Sequence, residues 1–468
     1  MFYSLCLWQA TENKFKYVYA RLKMSIPAND SSVEQQTIEL AKFTTLKSTK
    51  KLAWLSLSQF YPWLVISLCA LFAFYKYVLQ VSPSVMTADL MQQFHVNGVG
   101  LGNLAATYFY AYLVAQLFAG PMLDRYSPRY LITGAIAICG LAAFAFANTE
   151  TLATAAFSRA LMGIGTAFAT VSYMKMSVLW FRPNQVAFVD GFLGTAAMVG
   201  AMCGQIPLAF LVIHTGWRAS LIYCGVFGLV LAATFLFFVR DKNTAETSAK
   251  ATASKHTMIK LADIIAILKN KKNWLLTLYS GLAFTPLAVL GGLWGNPFFE
   301  TAHHLTATQA ASFTSCIFLG FAVGGPLFGY FGGSVQQRMR VTMVGTSLAF
   351  LALMLIIYVI NLPLWLFGVT LFIFGLGMGS YMSCFALAKE LNKVGLAGTV
   401  VALINTGDAL FGSFTEPLIG KILDVFWQGK IVNGIHYFST NDFQFALFLL
   451  PVYLAVALGC LVILSRMK

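Results

Sequence analysis

Apolar residues fall in stretches of about 20 along most of this chain, and roughly twelve such runs alternate with short polar loops between about Tyr61 and Lys468. A helix rises ~1.5 Å per residue, so ~20 apolar residues match the ~30 Å hydrocarbon layer of a bilayer. In that layer only a helix or a closed barrel satisfies its own backbone. The pattern predicts an all-α membrane protein with 12 transmembrane helices, at about 59–82, 99–121, 129–148, 152–174, 186–213, 219–239, 273–297, 308–331, 340–360, 363–388, 395–420 and 443–466. Residues 1–58 are polar and basic, and their SIPANDSSVEQQ stretch reads as a disordered cytosolic tail, with Met24 offering an alternative start.

Composition agrees. With 58% hydrophobic residues, 10% charged and a mean hydropathy of +0.73, a 468-residue chain has too little polar surface for a soluble globule. The net charge of +14 does not point to nucleic acid, because the excess sits in loops and in the two longest polar segments. Arg125, Arg129, Lys175, Arg182, Arg338, Arg340, Lys389 and Lys393 lie in loops joining even- to odd-numbered helices, and Arg240 to Lys272 bound a basic central loop. The positive-inside rule then places these loops and both termini in the cytoplasm, with the protein in a bacterial inner membrane. All cysteines except Cys6 lie in apolar runs without CxxC spacing and read as reduced packing residues. No cleavable signal is evident at the N-terminus, so the first spanning helix directs insertion.

The central loop, 240–272, divides the helices into two six-helix bundles, 59–239 and 273–468. An internal repeat supports that division. GPMLDRYSPR after the second helix aligns with GYFGGSVQQR after the eighth, about 209 residues on, which maps Gly120 on Gly329 and Arg129 on Arg338. Gly163-Ile164-Gly165 in the fourth helix matches Gly375-Leu376-Gly377 in the tenth. Duplication of this kind builds secondary transporters with pseudo-two-fold symmetry.

The segment Gly120-Pro121-Met122-Leu123-Asp124-Arg125-Tyr126-Ser127-Pro128-Arg129 resembles the GxxxDRxGRR-like motif of the major facilitator superfamily, and the likeness extends over nearly the whole chain. Ser127 and Pro128 stand where the family has Gly-Arg, and the second copy has Gly333 at the place of Asp124. The resemblance implies the superfamily's fold and a gating role for Gly120, Asp124, Arg125 and Arg129, stronger in the N-terminal half. Arg159-Ala160-Leu161-Met162-Gly163-Ile164-Gly165 resembles the family's RxxxGxG motif, which implies a part for Arg159 in proton coupling. Gly191, Gly194, Gly200, Gly204 and Pro207 look like a loosened form of its antiporter motif. Trp217-Arg218 resembles the Gly-Trp-Arg that precedes the sixth helix, an interfacial anchor.

Polar residues inside the spans carry the chemistry, because ionisable groups in hydrocarbon need a partner or a wet cavity. Lys76 and Gln80 share one face of the first helix, continued by Ser84, and Tyr108, Tyr112 and Gln116 make a stripe on the second. On the eleventh helix Asn405, Asp408, Gly412, Thr415 and Glu416 form a polar seam, and Pro417 frees a backbone carbonyl nearby. Trp294-Gly295-Asn296-Pro297 closes a Gly-rich run in the seventh and reads as a flexible outer gate. A cation in the first half and acids in the second suit a zwitterion. The expected function is therefore proton-coupled uptake of an amino acid or short peptide by alternating access. Substrate-binding residues are Lys76, Gln80, Tyr108, Tyr112, Gln116, Trp294, Asn296 and Asn405; Arg159, Asp408 and Glu416 serve proton coupling. Similarity of the Tyr75-Lys76-Tyr77 and Ser82-Pro83-Ser84 segments to bacterial phagosomal nutrient transporters of the Pht type and to lysosomal dipeptide carriers implies the same substrates. The alternatives are an organic-anion or sugar-acid symporter, in which Lys76 and Arg159 act together, and a non-transporting membrane sensor. His303 and His304 lack further ligands, and no phosphate loop, nucleophile elbow or zinc motif stands in context, so neither an enzyme nor a metal site is expected. The expected partners are the bilayer and a small-molecule substrate, with no nucleic acid, no cofactor beyond a proton gradient, and a monomeric state.

Overall fold

A computed structural model describes residues 60–241, 261–392, 397–432 and 434–467. The expected tail at 1–58 lies outside the described residues, as does most of the 240–272 loop. Leu68–Lys468 form one compact unit; of the other, Met1–Ser67, only the opening turns of the first helix are described.

The helices are α1 (Phe60–Val85, ending in a 3-10 turn), α2 (Gly98–Arg125), α3 (Pro128–Ala147), α4 (Leu152–Trp180), α5 (Pro183–Cys203), α6 (Ile206–Phe238), α7 (Lys271–Val289), α8 (Ala307–Phe331), α9 (Val335–Tyr358), α10 (Leu364–Gly379), α11 (Ala397–Phe426) and α12 (Leu449–Arg466). Among the described residues, nine helices are long and apolar enough to cross a bilayer. One of them, Val189–Phe238, has 50 residues, too many for a single crossing, and is broken at Gly216, whose φ of 81° only glycine adopts readily. α2 and α11, of 28 and 30 residues, are long enough to span but too polar to join that group. The broken span counted twice, with these two, makes the 12 passes expected from the sequence.

The two glycine pairs of the repeat do the same work six helices apart. A Cβ on Gly163 would sit 2.2 Å from the Tyr108 carbonyl oxygen of α2, and one on Gly165 would sit 2.7 Å from the Ala135 oxygen of α3. Likewise a Cβ on Gly375 would meet the Ile317 oxygen of α8 at 1.9 Å, and one on Gly377 the Gly345 oxygen of α9 at 2.6 Å. Helices α4 and α10 thus press their backbones against two neighbours each, which only small residues allow.

The loop carrying Gly120–Arg129 marks one face of the molecule, here the motif face. Ser127 and Pro128 open α3, Pro128 at a position where its missing N–H is not needed. Asp241 accepts hydrogen bonds from the Ser127 hydroxyl and, at 3.2 Å, from the Arg129 amide. The Arg129 guanidinium donates to the Leu236 carbonyl at the end of α6, at 2.7 and 2.9 Å.

On the far face α2 and α11 meet backbone to backbone. A Cβ on Gly420 would lie 2.1 Å from the Gly98 oxygen, and one on Gly102 would lie 2.6 Å from the Glu416 oxygen. The Asp424 carboxylate accepts from the Gly98 and Val99 amides at 2.9 and 2.8 Å, so it caps the free N–H groups at the start of α2. Arg218 donates to Gln93 Oε1 and to the Thr149 carbonyl, at 3.1 and 3.0 Å, tying the short helix Thr87–Phe94 to the end of α3.

Candidate functional site

Two prolines shape the polar centre. Pro83 lacks the N–H that would bond the Leu79 carbonyl four residues back, and this free oxygen accepts from Arg159 NH1 at 2.8 Å and from the Ser82 hydroxyl at 2.9 Å. Pro417 does the same for Ser413, whose carbonyl accepts from the Tyr110 hydroxyl of α2 at 3.2 Å. The carbonyl expected to be released near Glu416 is therefore used to join α2 to α11.

Around the first proline lie two buried cations. Lys76 is 5% exposed, donates to the Tyr112 hydroxyl at 3.2 Å, and stands over the Tyr112 and Tyr77 rings at 4.6 and 5.1 Å. Arg159 is 1% exposed and lies over the Tyr108 ring at 5.0 Å, and its Nε has no hydrogen-bond partner among the described residues. Tyr108 and Tyr112 stack with ring centroids 6.3 Å apart and planes 10° from parallel. Neither cation forms an ion pair with a carboxylate among the described residues. Their close contacts are with π faces, one hydroxyl and one carbonyl.

The two acids of α11 sit in different surroundings. Both oxygens of Asp408 are taken: Ser280 Oγ of α7 donates to Oδ1 at 2.5 Å, and the Tyr381 hydroxyl, just beyond α10, donates to Oδ2. Glu416 is 2% exposed, and its Oε2 has no partner among the described residues. It interacts electrostatically with Arg159, without an ion pair. Its backbone carbonyl accepts from Trp294 Nε1 at 3.1 Å.

Trp294 and Asn296 are each 1% exposed, so Trp294 is a core residue and not an interfacial belt anchor. The seventh span does not end at Pro297: a π-helical turn, Leu290–Trp294, carries it into a further helix, Gly295–His303. Asn296 Nδ2 donates to Gln205 Oε1 at 2.8 Å and to the Ser84 carbonyl at 3.1 Å, and its Oδ1 accepts from Thr314 Oγ1 at 2.5 Å. Gln205 Nε2 in turn donates to Ser84 Oγ and to the Gly291 carbonyl, at 2.9 and 2.7 Å. Gln116 is half-buried with an unpartnered Oε1 among the described residues; Gln80 and Asn405 are half-buried and join neither network. Sequence reasoning missed Gln205, Ser280, Tyr381 and Asp424. Their only sequence signal was a polar residue in or beside an apolar run, which does not say what it faces.

Of the four residues expected to gate, Asp124 and Arg129 bond to groups in the first half. Asp124 is 78% exposed and pairs with Lys175 at 2.8 Å, which also donates to the Leu123 carbonyl. Arg125 is exposed beside Tyr126, and Gly120 faces open space. A groove of about 770 Å³ between α2, α3 and α4 is lined mainly by apolar residues such as Val114, Phe118, Ile138 and Phe168 and holds none of the buried charges. It does not suit a polar solute.

The model of the Major Facilitator Superfamily matches residues 33–415. The chain belongs to this superfamily. It is a multi-pass integral membrane protein and a secondary transporter of the superfamily's type. It is 23% identical over 385 residues to the uncharacterised transporter YybO of Bacillus subtilis (strain 168), covering 78% of this chain and 88% of that one. It is 25% identical over 264 residues to the probable L-galactonate transporter of Escherichia coli (strain K12), covering 54% of this chain and 58% of the relative. In fold it resembles a bacterial homologue of the human lysosomal transporter Spinster in an inward-facing, occupied conformation. The TM-score is 0.71 at 14% identity, over 87% of this chain and 98% of that one.

Proposed function

We propose that this superfamily member carries a small organic anion, a carboxylate of the sugar-acid kind, bound at Lys76 and Arg159 and moved by proton-coupled alternating access. The observation that carries the reading is the charge imbalance at the centre: two buried cations lack a carboxylate partner, while Asp408 already accepts two hydrogen bonds. A zwitterion would need a carboxylate for its ammonium; Asp408 is not free, which leaves Glu416, among the described residues of the centre, as the one unengaged acid against two cations. A carboxylate substrate supplies what Lys76 lacks, through charge-assisted bonds in a site shielded from water. The probable L-galactonate transporter among the relatives supports the same substrate class. In this reading the motif face is cytoplasmic, following the Lys and Arg distribution. The far face, where Asp424 caps α2 and Gln205, Asn296 and Ser84 interlock, is the closed outer gate.

The test is uptake into proteoliposomes, with thermal shifts of the purified protein, across L-galactonate, hexuronates, simple monocarboxylates, amino acids and dipeptides. Carboxylates without an amine should be bound and accumulated. Lys76→Gln should weaken them by roughly ten- to a hundred-fold, the equivalent of about 1.5–3 kcal/mol for a lost charge-assisted bond. Accumulation of amino acids alone would return the zwitterion reading, and binding without any uptake would leave a sensor.

A further inference from the structure

The two intramembrane acids of α11 divide their labour. Asp408 has the surroundings of a fixed anion: a serine and a tyrosine hydroxyl, from two other segments, saturate its two oxygens. Hydrogen bonds donated to a carboxylate favour its charged form and hold it in one geometry. Glu416 has the opposite character. Its Oε2 accepts nothing among the described residues, and its side chain is enclosed.

The groups near Glu416 come from three other helices. α4 supplies Arg159 and α2 the phenol of Tyr110; α7 supplies Trp294, which bonds the backbone oxygen and not the carboxylate. From α12 Tyr453 reaches only as far as the hydroxyl of Thr415, at 3.3 Å. Asp408 lies two turns back on the same helix and is committed elsewhere. Arg159 is therefore the one cation among these groups, and it makes no ion pair with Glu416 and keeps its own Nε unpartnered. A buried carboxylate with neither a bond nor a contact ion pair is costly when ionised and cheap when it holds a proton.

We infer that Glu416 carries the coupling proton, that its protonation removes the one negative charge that would draw Arg159 away from the substrate carboxylate, and that one proton therefore travels with each monoanion. This rests on the carboxylate reading given above. With Glu416 ionised, the set Lys76, Arg159 and Glu416 carries one net positive charge; a proton on Oε2 and a monoanion on the cations add nothing to it. The loaded and empty sites thus have the same charge, and the cycle is electroneutral. Protonation comes first, because an ionised Glu416 competes with the incoming carboxylate for Arg159. Asp408, with both oxygens engaged, fixes α11 to α7.

The test uses the full chain in proteoliposomes with a carboxylate that the parent transports. A pH gradient should drive accumulation about ten-fold per unit, as one proton per monoanion requires. A potential set with potassium and valinomycin, or a sodium gradient, should not drive it. E416Q should lose the response to the pH gradient while still exchanging labelled for unlabelled carboxylate at a measurable rate; D408N, if it folds, should keep the response. A second measurement needs no variant: in weakly buffered detergent solution alkaline enough to ionise Glu416 in the free protein, binding of the carboxylate to the parent should take up protons, reported by an indicator dye. Persistent pH-driven accumulation in E416Q, its loss in D408N alone, driving by sodium or potential, or binding without proton uptake would each overturn the inference. Failure of the parent to bind or transport any carboxylate would remove the substrate reading itself, and this inference with it.

Discussion

Asp408 shows how a single carboxylate is held inside a membrane protein, through two hydroxyl donors from different segments and no counter-cation. Removing one donor leaves a buried acceptor unsatisfied, at a cost of about 1–3 kcal/mol. Tyr381→Phe and Ser280→Ala should each lower the thermal midpoint of the purified protein by several degrees, with a sub-additive double variant because the two donors share one acceptor group. An unchanged midpoint would show that water replaces the lost donor. The seam from Asn405 to Glu416 was legible in the sequence because a helix puts i, i+3 and i+4 on one face. The partners were not. Ser280 lies 128 residues from Asp408 and Gln205 lies 91 from Asn296, and neither sits in a run whose period marks it out.

Helix packing makes the glycines informative, since some touch a neighbouring backbone and others touch nothing. Gly163→Ala and Gly375→Ala each place a methyl within 2.2 Å of a carbonyl oxygen, so each should destabilise the protein, whereas Gly120→Ala meets nothing within 4 Å. Thermal unfolding of the three should give two clear losses and one value at or above the parent's; equal gains would mean that helix propensity, not packing, governs these sites. The far-face seal between α2 and α11 belongs to the same scale. Asp424→Asn weakens a charged cap on two amides, worth about 0.5–2 kcal/mol, and Gly420→Ala forces the helices apart. Both should raise the reactivity of a Ser84→Cys variant, in a background stripped of native cysteines, toward a membrane-impermeant thiol reagent. No increase would show that the seal is held by other contacts.

For the molecule as a whole, the Lys and Arg distribution predicts that reporter fusions after Ser254 and at the C-terminus both read cytoplasmic, and an external signal from either would reverse the assignment of the gates. The sequence by itself determined the number and order of the passes and the matched glycines of the repeat. It also picked out the two most polar helices: α2 and α11, too polar to join the apolar spans, are the pair in backbone contact on the far face. Such properties are local or periodic, because hydrocarbon demands a run of fixed length and a helix turns every 3.6 residues. Only the tertiary structure decided that Lys76 and Arg159 rest on tyrosine faces without an acid, that Asp408 is occupied while Glu416 is not, and that Asp124 pairs within its own half while Asp424 caps α2. Those outcomes depend on which residues from distant helices arrive at one point. A buried charge takes its role from the groups that reach it in space, and adjacency in the chain does not specify them.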